Sequence, residues 1–588
     1  MKLYKRLLAV LFSIIMILSF SASCFGVVFV PVTPQVDGLP AYTLTESFVN
    51  ETKTFLENGK SKIIKNGIHD SDAIMAWNDF SNAYLEVATQ ANVAYVLYAS
   101  DMSSQTYKNN YLFATKSYND VYALYMKALQ EIDKHEKESN VSKDDSMFND
   151  MSEKDMARIR NHTEEVSKLE NDVTELQVEY AELTEEEFYN GAVEIYKQII
   201  VKNNQIATAY GCENYYEYAS EYVYNRDYTS NQLSSFRRNV GQALPSLITT
   251  LNSNLSLFKE NLTDGAKNAL NGITSSKYDA TKINYWNKYV ESYNGTDTKI
   301  HLTHAFEHKN VMFADGANSN QGAFTAYLPS YDKNFCYFGP NYQDVFTVSH
   351  EIGHYYASLF QEQGTTSMDL NEIHSQGNEM LLLEFLSGEI DQSSFKCLEL
   401  SKLLTILSTT FISAIVDEFE YYVYTNSSAM QSYTSADFDA KMNEICQNYG
   451  GIEFVNSIGN GFNINDYWRK VVVEHPVYYL SYATSGIASV SLYLEADASR
   501  SEARKIYTKL VEQKSDSLGF VGCLVSAGLS SPFASETFED ITSFINNREQ
   551  GHPSESESES SVEHETTSES ESCEESTSTS NEESDLAA

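Results

Sequence analysis

Proline and glycine are sparse, 9 and 26 in 588 residues, which argues against a turn-rich all-β chain and for long helices. Basic residues are outnumbered: 41 Lys and Arg face 82 Asp and Glu, a formal charge of −41. Such a field repels phosphate backbones and speaks against nucleic acid as a partner. The seven cysteines are scattered with no CxxC pair, so neither a disulfide-stapled miniprotein nor a zinc ribbon fits. Beyond the N-terminal end no apolar run is clean enough to span a bilayer. Leu400–Val416 comes nearest, but Lys402 and several Ser and Thr mark it as a buried helix. Aromatic side chains, in contrast, are plentiful: Tyr 41 and Phe 30 lead a hydrophobic fraction of 42%, enough for a large core.

The two ends differ from the body. Lys2, Lys5 and Arg6 precede an apolar run, Leu7–Phe20, and then Ser21-Ala22-Ser23, the pattern of a cleaved export signal over residues 1–26. An uncleaved anchor or lipidation at Cys24 are the alternatives. The expectation is an exported protein, secreted or held at the cell surface. From about residue 549 to 588 the chain is Ser- and Glu-rich with no Lys or Arg after Arg548, a composition that cannot offset its own chain entropy. It is expected to be a disordered acidic tail.

Between these ends, residues 43 to about 240 carry helical periodicity. The clearest stretch is Ile159–Leu183, where Ile159, His162, Val166, Leu169, Val173, Leu176, Tyr180 and Leu183 recur at spacings of 3 and 4, one arm of an intramolecular helical hairpin. Gly322–Leu328 alternates like a strand. Helical patterns resume at Val345 and run to about Asn547.

The chemical centre is His350-Glu351-Ile352-Gly353-His354. On a helix, residues four apart share a face, so both imidazoles can reach one Zn²⁺, and Glu351 beside them can take a proton from a water. A third ligand is needed, and Phe360 stands where one HExxH class places a further histidine. Carboxylates downstream are Glu362, Asp369, Glu372, Glu379 and Glu384. A helix opening at Asn371-Glu372 and packing against the first would complete a His2Glu set with Glu372. Glu379, two turns on, is then placed to accept a hydrogen bond from a ligand histidine. His374 points elsewhere on that helix. His301, His304 and His308, read as strand, are taken as a surface or cleft segment rather than a second metal site.

His350-Glu351-x-Gly353-His354 followed by Glu372-x-x-Ser375-Gln376-x-x-Glu379 resembles the thimet oligopeptidase/oligoendopeptidase F (M3-type) family of zinc peptidases. The likeness extends from about residue 185. Ala209-Tyr210-Gly211 and Asn214-Tyr215-Tyr216-Glu217-Tyr218 resemble that family's linker helices, Asp417-Glu418-Phe419-Glu420 its buried acidic helix, and His475-Pro476-Val477-Tyr478-Tyr479-Leu480-Ser481-Tyr482 the segment lining its active site. Ala357 and Val477 depart from its usual residues at positions that are not ligands. The resemblance implies a mainly α fold: a helical N-terminal domain (35–240), then a zinc peptidase domain (241–548) with a small β-sheet, enclosing a deep substrate channel. It implies one Zn²⁺ per chain on His350, His354 and Glu372, with Glu351 as general base. It also implies that His475, Tyr478 and Tyr482 act on the oxyanion, with Tyr478 and Tyr482, four apart, expected on one face of a helix, and that Gly322, Ala323 and Phe324 bind the peptide backbone. Short unstructured oligopeptides are the implied substrates. The membrane enters only through the N-terminal signal or Cys24. Asn371-Glu372-x-x-Ser375 also resembles the thermolysin family, whose members act on larger proteins. A catalytically idle zinc-binding scaffold is the remaining alternative, weakened by the presence of Glu351 and every ligand.

Overall fold

The computed structural model describes residues 37–181, 183–361, 366–458, 463–513 and 518–550. The expected export signal, Cys24, Glu362 and the expected acidic tail from residue 551 lie outside them. The described chain is mainly α-helical with one three-stranded sheet, as the motif resemblance implies.

Helices α1 (Glu46–Asn66), α2 (Ser71–Ser100) and α3 (Gln105–Glu138) pack on one another. α2 is buried on nearly every side from Ala73 to Ala99, as expected of a helix with apolar residues all round. The seam read over Ile159–Leu183 is interrupted. His162 leaves the helical conformation, and Thr163 restarts it by accepting a hydrogen bond from the Val166 amide at 3.3 Å, a serviceable N-cap. The result is a short helix, Glu153–Asn161, and α4 (Glu164–Ala181), which pairs with α5 (Glu185–Ala209) as the expected hairpin.

Among the described residues two large hydrophobic cores and a small third one around Val166, Ile206 and Tyr210 result, and the sheet stands between the two large ones. β1 (Val311–Phe313) runs parallel to β3 (Lys333–Phe338), and β2 (Ala323–Leu328) pairs antiparallel with β3 in the order β1-β3-β2. Side chains alternate along a strand. Phe335 and Tyr337 therefore enter the core of α1–α3, whereas Cys336 and Phe338 enter the larger core of the following helices. The expected boundary at 240/241 falls inside α6 (Ser230–Asn261), and residues from Leu176 onward already belong to the larger core. The body through Ile545 forms one compact unit.

His301, His304 and His308 lie at helix α7 (Asp297–Glu307) and its C-cap, not on a strand. The sequence between Thr296 and Glu307 has no Gly or Pro to break a helix, and its polar threonines conceal the period. His304 Nδ1 meets the Tyr355 hydroxyl at 2.7 Å and His301 stacks on Tyr356, contacts that hold α7 to the helix Val345–Ser358. The later helices are α8 (Val345–Ser358), α9 (Met368–Leu386), α10 (Gln392–Thr425), α11 (Ile464–Glu474), α12 (Leu480–Ala498) and α13 (Arg500–Glu512). α10 is long and apolar enough to cross a membrane by length and composition, but it packs between α6 and α12 within the core.

Candidate active site

The site is built where α8 crosses α9. Asp344 caps α8 by accepting from the amides of Phe346 and Thr347 at 2.9 and 3.2 Å. One turn of that helix sets the His350 and His354 rings 5.0 Å apart. Gly353 faces α9: a Cβ there would lie 2.5 Å from the His374 carbonyl oxygen and 2.7 Å from the Ser375 Cα. The backbones thus approach as only glycine allows. Asn378 adds a second tie, donating to the Ser349 carbonyl at 2.8 Å. His374 turns away from the cluster, towards the Leu510 carbonyl at 3.1 Å.

This crossing brings Glu372 to the histidines. Its Oε2 lies 3.7 Å from His350 Nε2 and 4.0 Å from His354 Nε2. The three form the one group of metal-ligating side chains found among the described residues. Two atoms bound tetrahedrally to one Zn²⁺ at about 2.0–2.1 Å sit roughly 3.3–3.4 Å apart. The two carboxylate–imidazole spacings need contractions of roughly 0.3–0.7 Å, and two imidazoles with a carboxylate suit zinc. The residues fit such an ion.

Supporting contacts fix each member. His350 Nδ1 donates to Glu379 Oε1 at 2.7 Å, which leaves Nε2 facing the cluster. The other Glu379 oxygen is ion-paired with Lys402 of α10. Burial alone would disfavour the His350 imidazolium, but the Glu379 hydrogen bond and charge lift its pKa to about 9. Burial would also raise Glu379, yet Lys402 and His350 hold it below the usual carboxylate range. Burial and then the neighbouring His350 drive His354 well down.

Glu351 does not turn into the ligand set. Its Oε2 accepts from the Thr325 hydroxyl of β2 at 2.7 Å, and burial pushes its pKa up to about 7. A dication beside it would draw that value down again. A carboxylate in this range suits proton transfer near neutrality.

The opposite wall is the segment before α12. His475 caps α11, and Tyr478 precedes the helix rather than lying on it with Tyr482. Proline at 476 and the left-handed Val477, φ 63°, delay the helix start to Leu480. A β-branched residue there is strained, and the loop is clamped accordingly. Arg226 donates to the carbonyls of Val477 and Tyr478 and to Ser481, and is ion-paired with Asp369 at 3.4 Å. Glu420 accepts the Val477 amide at 2.7 Å. Tyr478 consequently donates to Glu372 Oε1 at 2.6 Å and lies 3.3 Å from the Tyr482 hydroxyl. Burial lowers His475 to about 4 and keeps both phenols protonated.

His350, Glu351, His354, Glu372, His475, Tyr478 and Tyr482 line one cavity of about 880 Å³, together with Gly322, Ala323 and Phe324 at the start of the edge strand β2. Thr325, Lys402, Asn378 and Arg226 escape a reading of motifs. Of the four, only Thr325 carries a usable signal, since strand alternation sets it on the face opposite Phe324.

No family model matches the chain. A curated relative, the oligoendopeptidase F homolog of Borreliella burgdorferi, is 25% identical over 180 residues, which is 29% of this chain and 30% of that protein's length. Likeness in three dimensions is far wider. A 3.1 Å crystal structure assigned as an oligoendopeptidase F superposes with a TM-score of 0.67 at 15% identity, covering 88% of this chain and 99% of its own. A PZ peptidase A bound to an inhibitor gives 0.64 at 16%, covering 85% and 97%. The resemblance read from the motifs therefore holds for the whole fold.

Proposed function

From a chain with the oligoendopeptidase F fold, we propose a zinc-dependent endopeptidase that is exported and cuts short unstructured peptides. The observation that supports this best is the convergence of His350, His354 and Glu372 beside a buried carboxylate, Glu351, that takes no part in ligation.

A zinc ion on those three residues supplies Lewis acidity towards the scissile carbonyl and acidifies a water. Glu351, oriented by Thr325, removes the proton from the attacking water and returns it to the leaving amine. Tyr482 and His475 face the same cavity and can donate to the carbonyl oxygen as it gains charge. The Tyr478 hydroxyl is committed to Glu372 and orients that ligand while Tyr482 stands beside it. Gly322, Ala323 and Phe324 offer an edge strand to an extended substrate backbone, which reads little sequence. Export rests on Lys2, Lys5, Arg6 and the apolar run after them.

Metal analysis joined to one substitution tests the reading. The purified chain should carry one zinc per molecule, lose peptidase activity to a chelator and regain it with zinc. Glu351→Gln should keep the metal while retaining less than a few per cent of activity. A metal-free active enzyme, or an active Glu351→Gln, would refute it.

A further inference from the structure

The cavity extends beyond the reacting centre to a wall of tyrosines supplied by the N-terminal helices. α4 lays one face along it: Glu170, Thr174 and Gln177 all line the cavity. Gln177 donates to the carbonyls of Val473 and Glu474, at 3.0 and 3.3 Å, just before His475. Glu170 lies seven residues back on the same face, about 10.5 Å along the helix at 1.5 Å per residue. An extended peptide covers that distance in about three residues.

The surroundings of Glu170 suit a cation that the chain itself does not provide. No Lys or Arg among the described residues forms a salt bridge with it. The one ion-pair contact is His162 Nε2 at 3.8 Å, and burial keeps that ring neutral, with a pKa of about 4. Tyr118, Tyr122, Tyr210, Tyr215 and Tyr218 all feel the carboxylate's charge. The Tyr210 and Tyr218 rings lie 4.7 Å apart in this wall, and tyrosine faces attract cations. Arg158 also lines the cavity, but Asp155 balances its charge at 3.3 Å and its guanidinium donates to the Tyr222 carbonyl and to Asn225. Partial burial among the tyrosines raises the Glu170 carboxyl above its usual range, which is relieved when an opposite charge docks.

We propose that Glu170 is a specificity-determining residue: with the tyrosines around it, it receives a Lys or Arg side chain of the substrate at a fixed spacing from the scissile bond. The inference rests on the peptidase reading and deepens it. A set of otherwise neutral decapeptides, each with a single Lys moved one position at a time, tests it in the zinc-loaded full chain, with the cleaved bond mapped by mass spectrometry. kcat/KM should peak roughly tenfold above the Lys-free peptide at one spacing from the cut. Glu170→Gln should flatten that peak, and Glu170→Lys should move the preference to a Glu-containing peptide at the same spacing. A peak that survives Glu170→Gln would overturn the proposal. So would a preference for Lys equal at every position, since that belongs to the net charge; this outcome needs no variant. Failure to cleave any peptide in the set would instead bring down the peptidase reading beneath it.

Discussion

Single side chains at this site divide their work by which atoms they leave free. Glu372 uses Oε2 towards the histidines and Oε1 towards Tyr478, while Glu379 reaches the ligand set only through the far nitrogen of His350. Glu372→Ala should therefore abolish tight zinc binding. Glu379→Ala should weaken it by roughly 10–100-fold, as loss of a group orienting a ligand does. Metal titration with a competing chelator measures both, and the reverse ranking would move the third ligand to Glu379. The two tyrosines should separate in the same way. Tyr482→Phe is expected to lower kcat by about 10²–10³, the cost of one oxyanion donor, with zinc affinity unchanged. Tyr478→Phe should lower zinc affinity as well, because it frees a ligand oxygen. Equal metal affinities in the two variants would contradict this division.

At the scale of elements, the α8–α9 crossing determines whether a ligand set exists. Gly353→Ala places a methyl against backbone atoms that cannot rotate away. Overpacking of this kind costs about 1–3 kcal/mol. The helices should part, with a lower Tm and weaker zinc binding together. A Tm and zinc affinity both equal to those of the parent would show that the crossing has slack. The sequence makes part of this crossing legible. HExxH spacing follows from helical geometry alone, and Glu372 stands out because it falls in the first turns of a second helix, although that helix opens at Met368, three residues before the expected start at Asn371. Lys402 and Arg226 were invisible for a physical reason: each acts across more than twenty residues of chain, through contacts that only tertiary packing creates. The placement of Tyr478 before α12 rather than on it was lost because a single left-handed residue, Val477, leaves no trace in periodicity. The histidines of α7 were misplaced because short polar helices lack the apolar stripe that identifies a helix.

For the whole molecule, the decisive quantity is the size and enclosure of the shared cavity. Helices from both large cores line it, α2 and α3 contributing Tyr95 and Tyr118, α4 Glu170, the sheet its edge, and α8, α9 and the Tyr478 loop the reacting groups. A volume of about 880 Å³ lies within the range of pockets that take small ligands and is far below what a folded domain occupies. On the peptidase reading a substrate is expected to enter as an extended strand and align with β2. Backbone pairing tolerates many side chains, so selection by length should be stricter than selection by sequence. Unstructured peptides of about 5–20 residues are expected to be cut, whereas stably folded proteins should resist; the range follows the family's habit. The net charge of −41 should raise kcat/KM for basic peptides at low ionic strength. That advantage should fade towards 1 M salt, where the Debye length falls to about 3 Å, while a preference due to the half-exposed Glu170 inside the cavity should fade less steeply, because it acts at contact distance. A length series of one peptide, assayed beside a stably folded protein at matched concentration, decides the point. Internal cleavage of the folded protein at rates similar to those on the short peptides would mean that the cavity opens far wider than its walls allow, and would favour the thermolysin-like alternative.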